Sequence, residues 1–152
     1  ATSLTKEGLD LVEELRNNNI NNSDPFFKDL TCLYPPFCDQ APIVEGWTCH
    51  FRLDYVNSRD QIEATRDCYD PALPPPGGVP QVSDPSYILK FDNSDYYQYS
   101  SGNDSIFYRL ITTEYHAGTI SGPYLDVKSE VYWAYKGQGY VYTLETKLFD
   151  EN

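Results

Sequence analysis

Apolar and polar residues alternate strictly between residues 47 and 55, and this alternation is the clearest structural signal in the chain. The odd-numbered positions are apolar and the even-numbered positions are polar; the two sets are Trp47, Cys49, Phe51, Leu53 and Tyr55, and Thr48, His50, Arg52 and Asp54. A period of two is typical of a β-strand that buries one of its faces. The pattern therefore predicts a half-buried strand from Trp47 to Val56.

Further strand-like segments follow along the rest of the chain. They are Gln61–Tyr69, Ser86–Phe91, Ser105–Tyr115, Tyr124–Tyr135 and Tyr140–Phe149. The turn at residues 136–139 joins the last two segments as a hairpin. Several long antiparallel strands with polar turns predict a mainly β fold, in which curved sheets form a sandwich or a half-open barrel around an apolar pocket.

Residues 1–24 predict a short helix followed by an asparagine-rich loop. Apolar residues recur near helical spacing at Leu4, Leu11, Val12 and Leu15, and Thr5 is expected to cap the start of the helix. The helix is expected to stop at the asparagine run, because asparagine side chains compete for backbone hydrogen bonds.

The chain length and one proline-rich segment bear on the domain organisation. Residues 71–85 are rich in proline and glycine and predict a surface loop. The 152 residues predict a single domain, since this length suffices for one hydrophobic core.

The net charge of −12 argues against binding to nucleic acid or to an anionic membrane surface, because both require a positive patch. No run of apolar residues approaches the roughly 20 residues of a membrane span. An acidic surface keeps a protein in solution and favours cationic partners.

The four cysteines are Cys32, Cys38, Cys49 and Cys68. No C-x-x-C motif occurs and the chain has two histidines, so a zinc site has little support. The even number of cysteines, sequons at Asn21 and Asn103, and a first residue other than Met predict a secreted, extracellular, disulfide-bonded chain. Of three pairings, we favour Cys32–Cys38 with Cys49–Cys68, which would join the first strand to its neighbour.

Motifs for catalysis are absent from the sequence, which contains no G-x-S-x-G, H-E-x-x-H, phosphate-binding or dinucleotide-binding pattern. His50 is expected in an exposed polar row and His116 in a turn, so a non-enzymatic protein is predicted. A glycosidase-like pair of carboxylates is the enzymatic alternative.

Asp92, Asp95 and Asp104 offer oxygen ligands for calcium, but their spacing matches no EF-hand loop and favours a solvated turn.

Aromatic residues make up 15% of the chain, with 14 tyrosines, which exceeds what one compact layer needs. If the sheet curves, apolar side chains of several strands could line one ligand pocket. The candidate lining residues are Trp47, Phe51, Leu53, Tyr55, Tyr87, Leu89, Phe91, Trp133, Tyr135, Tyr140 and Tyr142. The alternatives are that these residues fill the core or form an interface.

The segment Cys38–Gly46, which reads CDQAPIVEG, resembles the start of ependymin-related proteins, where a cysteine, a proline and a Glu-Gly pair introduce the first long strand. Asn57–Arg59, Cys68–Asp70 and the end of the chain are similar to other parts of that family. The chain departs from the family because it has no cysteine after Cys68 and places Trp47 after the Glu-Gly pair. Lipocalin-like barrels are the alternative, since "EGW" opens a strand there in a similar manner.

The resemblance implies a secreted, glycosylated protein with curved antiparallel sheets around a hydrophobic pocket. It also implies a non-enzymatic carrier of an apolar ligand, of carotenoid or lipid type, which in the family is sometimes linked to calcium. The alternative is an extracellular interaction or adhesion protein that uses an aromatic sheet face to form a homo- or hetero-oligomer.

We expect protein from a eukaryotic source to carry glycans at Asn103 and Asn21, because both sequons lie in polar, turn-rich segments. Asn103 should be the better acceptor, since Asp24-Pro25 closely follows the sequon of Asn21. Intact mass spectrometry before and after deglycosylation measures the mass of the attached glycans. An untreated mass equal to that of the bare chain would show that neither asparagine is glycosylated.

Overall fold

The computed structural model describes residues 1–24, 30, 45–54, 63–73, 75, 77–91, 97–118 and 120–150, with the backbone alone at residues 51 and 63–67. Besides a short 3-10 helix at Pro85–Tyr87, one α-helix and seven strands are present in these ranges. They are α1 (Thr2–Asn21), β1 (Thr48–Arg52), β2 (Glu63–Tyr69), β3 (Ile88–Phe91), β4 (Tyr97–Gln98), β5 (Asn103–His116), β6 (Tyr124–Tyr135) and β7 (Gln138–Phe149). Among the described residues, no helix has the length and apolar composition that crossing a membrane requires.

All the described strands belong to one antiparallel sheet, with β5 at its centre. Strand β6 pairs with one edge of β5, and β7 extends the sheet beyond β6. The other edge of β5 is shared, because β1 pairs with its C-terminal half and β3 with its N-terminal half. Strands β2 and β4 extend β1 and β3. The sheet curls into a half-barrel, which confirms the predicted mainly β fold and selects the half-open barrel over the sandwich.

The helix packs against one face of β5, β6 and β7, which we call the helix face. Odd-numbered residues of β5 and β6 and even-numbered residues of β7 point to this face, since the register between these strands has no bulge. The central core contains Leu11, Val12 and Leu15 of the helix against Ile111, Leu125, Val127 and Leu148 of the sheet. Burial of each such side chain stabilises the fold by roughly 1.5–3 kcal/mol.

A fully buried arginine of β5 connects the helix with the residues that directly follow β1 and β4. Arg109 has no exposed surface, and its guanidinium forms an ion pair of 2.8 Å with Glu7. It also donates hydrogen bonds to the carbonyl oxygens of Leu4 (3.2 Å) and Leu53 (2.6 Å). The Tyr99 hydroxyl donates to the Arg109 carbonyl at 2.9 Å, and burial raises the pKa of Tyr99, so the phenol stays protonated as a donor.

Gly8 allows the helix to approach the sheet closely at this point. A Cβ atom at residue 8 would overlap the hydroxyl oxygen of Ser129 and lie 3.3 Å from Cδ of Arg109. The hydrophobic pattern of the helix gives no sign of this contact, because a glycine inside a helix ordinarily lowers its stability.

Two local predictions, one disulfide and the last hairpin, are confirmed, although β7 begins at Gln138 and the turn is therefore shorter than the predicted residues 136–139. Cys49 and Cys68 form a disulfide between directly opposed residues of β1 and β2, with their Cα atoms 4.1 Å apart. Lys136 and Gly137 both have positive φ angles, 50° and 76°, as a type I′ turn between β6 and β7 requires. Cys32, Cys38 and their predicted bond lie outside the described residues.

Other predictions need correction. The helix is longer than expected, because it begins at Thr2 and continues through the asparagine run to Asn21. Thr5 is not its cap; it is a buried helix residue whose hydroxyl bonds the Ala1 carbonyl at 2.7 Å. Packing of Leu15 and Asn19 against the rest of the protein outweighs the weak local propensity.

The predicted exposed row is wrong for Asp54, which is fully buried, and for His50, which is only 5% exposed. Its ring nitrogens lie 3.0 Å from Thr112 Oγ1 and 3.1 Å from Tyr69 Oη, because β1 is flanked by strands on both sides. The polar segment that follows β3 also contains buried residues, since Gln98 of β4 is 2% exposed and Tyr99 is 4% exposed. In the predicted loop 71–85, most described residues are exposed, whereas Val82 packs beneath Tyr87 and Leu110.

We expect Gly8→Ala to lower the free energy of unfolding. Alanine gains about 1 kcal/mol of helix propensity, but overpacking typically costs about 1–3 kcal/mol, and the overlap with Ser129 places this variant at the upper end. Gly77→Ala is the matched control, because no atom lies within 4 Å of the added Cβ. Urea unfolding measures both, and a more stable Gly8→Ala protein would contradict the close approach.

Candidate functional site

A continuous series of aromatic rings crosses five strands on the helix face, beside the N-terminal end of α1. The rings belong to Phe91, Tyr97, Phe107, Trp133 and Tyr140, which we call the aromatic strip. Successive ring centroids lie 5.3, 6.1, 6.3 and 5.5 Å apart, within the range of favourable aromatic contacts. The last pair, Trp133 and Tyr140, is stacked with an angle of 17° between the ring planes.

The aromatic strip is accessible at its two ends and rests on a buried floor. Phe91 is 43% exposed and Tyr140 is 38% exposed, while the three rings between them are half-buried. Beneath the strip lies a separate buried cluster of Leu4, Leu89, Tyr99 and Val131. Because this floor is packed, the rings are held in place and present an ordered apolar surface.

The strip brings together only part of the predicted lining set. Phe91, Trp133 and Tyr140 belong to it, and Leu89 contributes to its floor. Tyr142 follows Tyr140 on the same face of β7, and Tyr135 lies at the tip of the hairpin, where Lys136 Nζ is 5.3 Å from its ring centroid.

The remaining predicted residues lie elsewhere. Trp47 and Leu53 pack in the central core beneath the helix, and Leu53 is 1% exposed. Tyr87 packs on the opposite face of the sheet, against Leu110. The backbone of Phe51 pairs with Ile111, but the Phe51 side chain and all of Tyr55 lie outside what the structure describes.

Two rings of the strip, Tyr97 and Phe107, were absent from the predicted set. Phe107 carried a usable signal, because it occupies an odd-numbered position in the β5 alternation together with Arg109 and Ile111. Tyr97 lies in a polar segment, and its role depends on the short pairing between β3 and β4, which no local pattern indicates.

A second, polar site surrounds His116 at the other end of the sheet. Its Nδ1 atom lies 2.5 Å from Glu45, and its Nε2 atom lies 3.0 Å from Asp126 and 3.5 Å from Glu114. The ring stacks on Tyr124 at a centroid distance of 4.8 Å. Both ring nitrogens therefore face carboxylates, which holds the imidazole in place and leaves neither nitrogen directed at a nucleophile.

The Glu45 carboxylate links the loop before β1 to the turn after β5. The Ala117 amide donates to Glu45 Oε2 at 2.7 Å, and this hydrogen bond, followed by that from His116, lowers the Glu45 pKa below its ordinary value of 4.5. An open hollow of about 350 Å³ adjoins the cluster, lined by Glu45, His116, Gly118, Ser121, Gly122, Tyr124 and Phe149. In the described ranges, no three His, Cys, Asp or Glu side chains are arranged to hold a metal ion, and Asp92 and Asp95 lie outside these ranges.

We expect the contact between Glu45 and Ala117 to persist to acidic pH. Because the folded-state pKa of Glu45 is lowered, the contribution of this carboxylate to stability is complete above pH 4.5 and is lost as the pH falls through the lowered value. The Ala117 amide chemical shift should therefore titrate below pH 4.5 in wild type and lose this transition in Glu45→Gln. A wild-type midpoint above pH 4.5 would contradict the assignment.

Comparison with protein-family models, with curated proteins and with solved structures gave no match to this chain. The resemblance to ependymin-related proteins therefore stays a prediction, and the functional argument rests on the geometry of this protein.

Proposed function

We propose that this protein is a secreted, non-enzymatic binding protein that holds an apolar ligand of carotenoid or lipid type on the aromatic strip. The observation that supports this most directly is the unbroken series of ring-to-ring contacts, which joins one ring from each of β3, β4, β5, β6 and β7. Rings that only filled the core would be buried, whereas Phe91 and Tyr140 keep about two fifths of their surface exposed.

The shape of the strip suits a long, thin ligand. Neighbouring strands lie about 4.8 Å apart, so five strands span roughly 19 Å, which is comparable to a polyene or an acyl chain. The stacked pair of Trp133 and Tyr140 offers a flat apolar surface at one end.

Secretion is supported by the cross-strand disulfide and by the positions of the sequons. The bond between Cys49 and Cys68 is of a kind that persists in oxidising compartments. Asn21 at the end of α1 and Asn103 at the start of β5 are both exposed, so each could accept a glycan without disturbing the core.

An extracellular interaction protein is the second candidate function. It is favoured by the exposed apolar residues near the β6–β7 hairpin, where Tyr135 and Val141 are 58% and 53% exposed. These side chains extend beyond the strip onto both faces of the sheet, which a ligand site on one face alone would not require.

We expect Tyr140→Ser to weaken binding of a polyene fatty acid about tenfold, because it removes the ring stacked on Trp133. Val141→Ser is the matched control, since Val141 is the next residue of β7, is comparably exposed and points to the opposite face. Quenching of Trp133 fluorescence by the probe measures binding, and thermal unfolding of each variant measures its stability.

Equal loss of binding in both variants would contradict the proposed site, and so would an absence of measurable binding to wild type. An absorbance spectrum of protein from its native source provides an independent test. A visible band or extractable lipid supports the carrier function, whereas a colourless, lipid-free oligomer supports the interaction protein.

A further inference from the structure

Strand β7 has one edge that no described strand covers. It pairs with β6 over twelve residues without a bulge, and none of these residues is a proline. Its first six residues are all exposed. Natural proteins usually protect such an edge with charges, prolines, bulges or covering segments, because its free N–H and C=O groups can pair with another strand.

The backbone groups that face this free edge can be identified from the hairpin. Tyr135 and Gln138 flank a two-residue turn, so they form a hydrogen-bonded pair between β6 and β7. Hydrogen-bonded pairs alternate along an antiparallel ladder. Even-numbered residues of β7 therefore bond to β6, whereas Gly139, Val141 and Thr143 direct their N–H and C=O groups outward.

The protein already covers one end of this edge. Arg16 of the helix lies 3.5 Å from the carbonyl oxygen of Phe149, which is also an outward-facing odd-numbered position. No described strand pairs with this edge along residues 138–145, and Gln138–Leu144 contains no charged side chain.

We propose that this edge binds the same edge of a second copy of the chain, forming a symmetric dimer with a continuous sheet. Identical antiparallel strands can pair about a two-fold axis, so the edge is complementary to itself. Centring the axis on Tyr142 pairs Val141 with Thr143 and places Glu145 opposite Gly139. Charge also favours a self-pair here, because two acidic chains approach along the segment that carries no charge.

This register has consequences for both faces of the sheet. Tyr142 of one copy lies against Tyr142 of the other, and Tyr140 lies beside Leu144, which are favourable cross-strand pairs. Side chains that face each other across strands share a face, so the helix faces of the two copies adjoin. The interface rests on the backbone edge and does not depend on the proposed ligand.

Val141→Pro tests the edge itself. The N–H of Val141 points outward, so proline removes an intermolecular donor while the ladder to β6 stays intact. Val141→Thr is the control, because threonine keeps both the N–H group and the β-branched shape. Sedimentation should show dimers for wild type and Val141→Thr, and a folded monomer for Val141→Pro by circular dichroism. A monomeric wild type at all concentrations, or a dimeric Val141→Pro, would overturn the proposal.

Tyr142→Cys tests the register and does not rely on a proline variant. Residues facing each other at a non-hydrogen-bonded site have Cα atoms about 4.5 Å apart, within the range of a disulfide. Oxidation should therefore link two copies of Tyr142→Cys, whereas Tyr140→Cys should remain unlinked because it faces Leu144. Efficient cross-linking of Tyr140→Cys instead would contradict the axis at Tyr142.

Salt dependence separates this interface from one held by ion pairs. The two copies carry −12 each, so screening their repulsion should strengthen the dimer as the ionic strength rises. Dissociation of the wild-type dimer by added salt would contradict pairing through an uncharged edge. These measurements use protein without a ligand, so their outcome is independent of the outcome for the aromatic strip.

Discussion

The buried guanidinium of Arg109 is the interaction on which the arrangement of the protein depends. A charge without exposure to water is tolerated only when its donors are paired, and the partners of Arg109 come from segments far from it along the chain. Glu7 and the Leu4 carbonyl belong to the helix, whereas the Leu53 carbonyl follows β1. Removal of any one partner would leave part of a buried charge uncompensated, so these segments are held together.

The same interaction fixes the N-terminal end of the helix on the sheet, next to the aromatic strip. With Leu4 and Glu7 held at Arg109, the apolar residues from Leu11 to Leu15 cover the sheet near Ile111 and Leu125. The sheet continues past the start of the helix, and its helix face there is covered by rings alone. Ala1 and Leu4 contact the cluster under these rings, so the end of the helix forms one boundary of the strip.

Charged side chains are distributed unequally over the sheet, so some of its surfaces are charged and others are uncharged and apolar. The face opposite the helix carries ion pairs between Lys147 and Asp126 and between Lys128 and Glu130, each 2.9 Å long. The strip carries only rings, and the β7 edge near Val141 carries no charge. Uncharged apolar surface therefore lies near the hairpin, while the His116 site at the opposite end is dominated by carboxylates.

The sequence by itself determined the elements whose pattern is local. The pattern of Tyr124–Tyr135 predicted β6 with its observed bounds, and residues 136–139 predicted the hairpin turn, because strand faces and turn conformations depend on neighbouring residues. Only the tertiary structure decided which side chains meet. No local pattern indicates the roles of Arg109 and Gly8, because each depends on a contact with distant segments of the chain. Pairing between β3 and β4 brought Tyr97 into the strip, whereas Leu53 entered the core, because burial is set by the elements that pack against a strand.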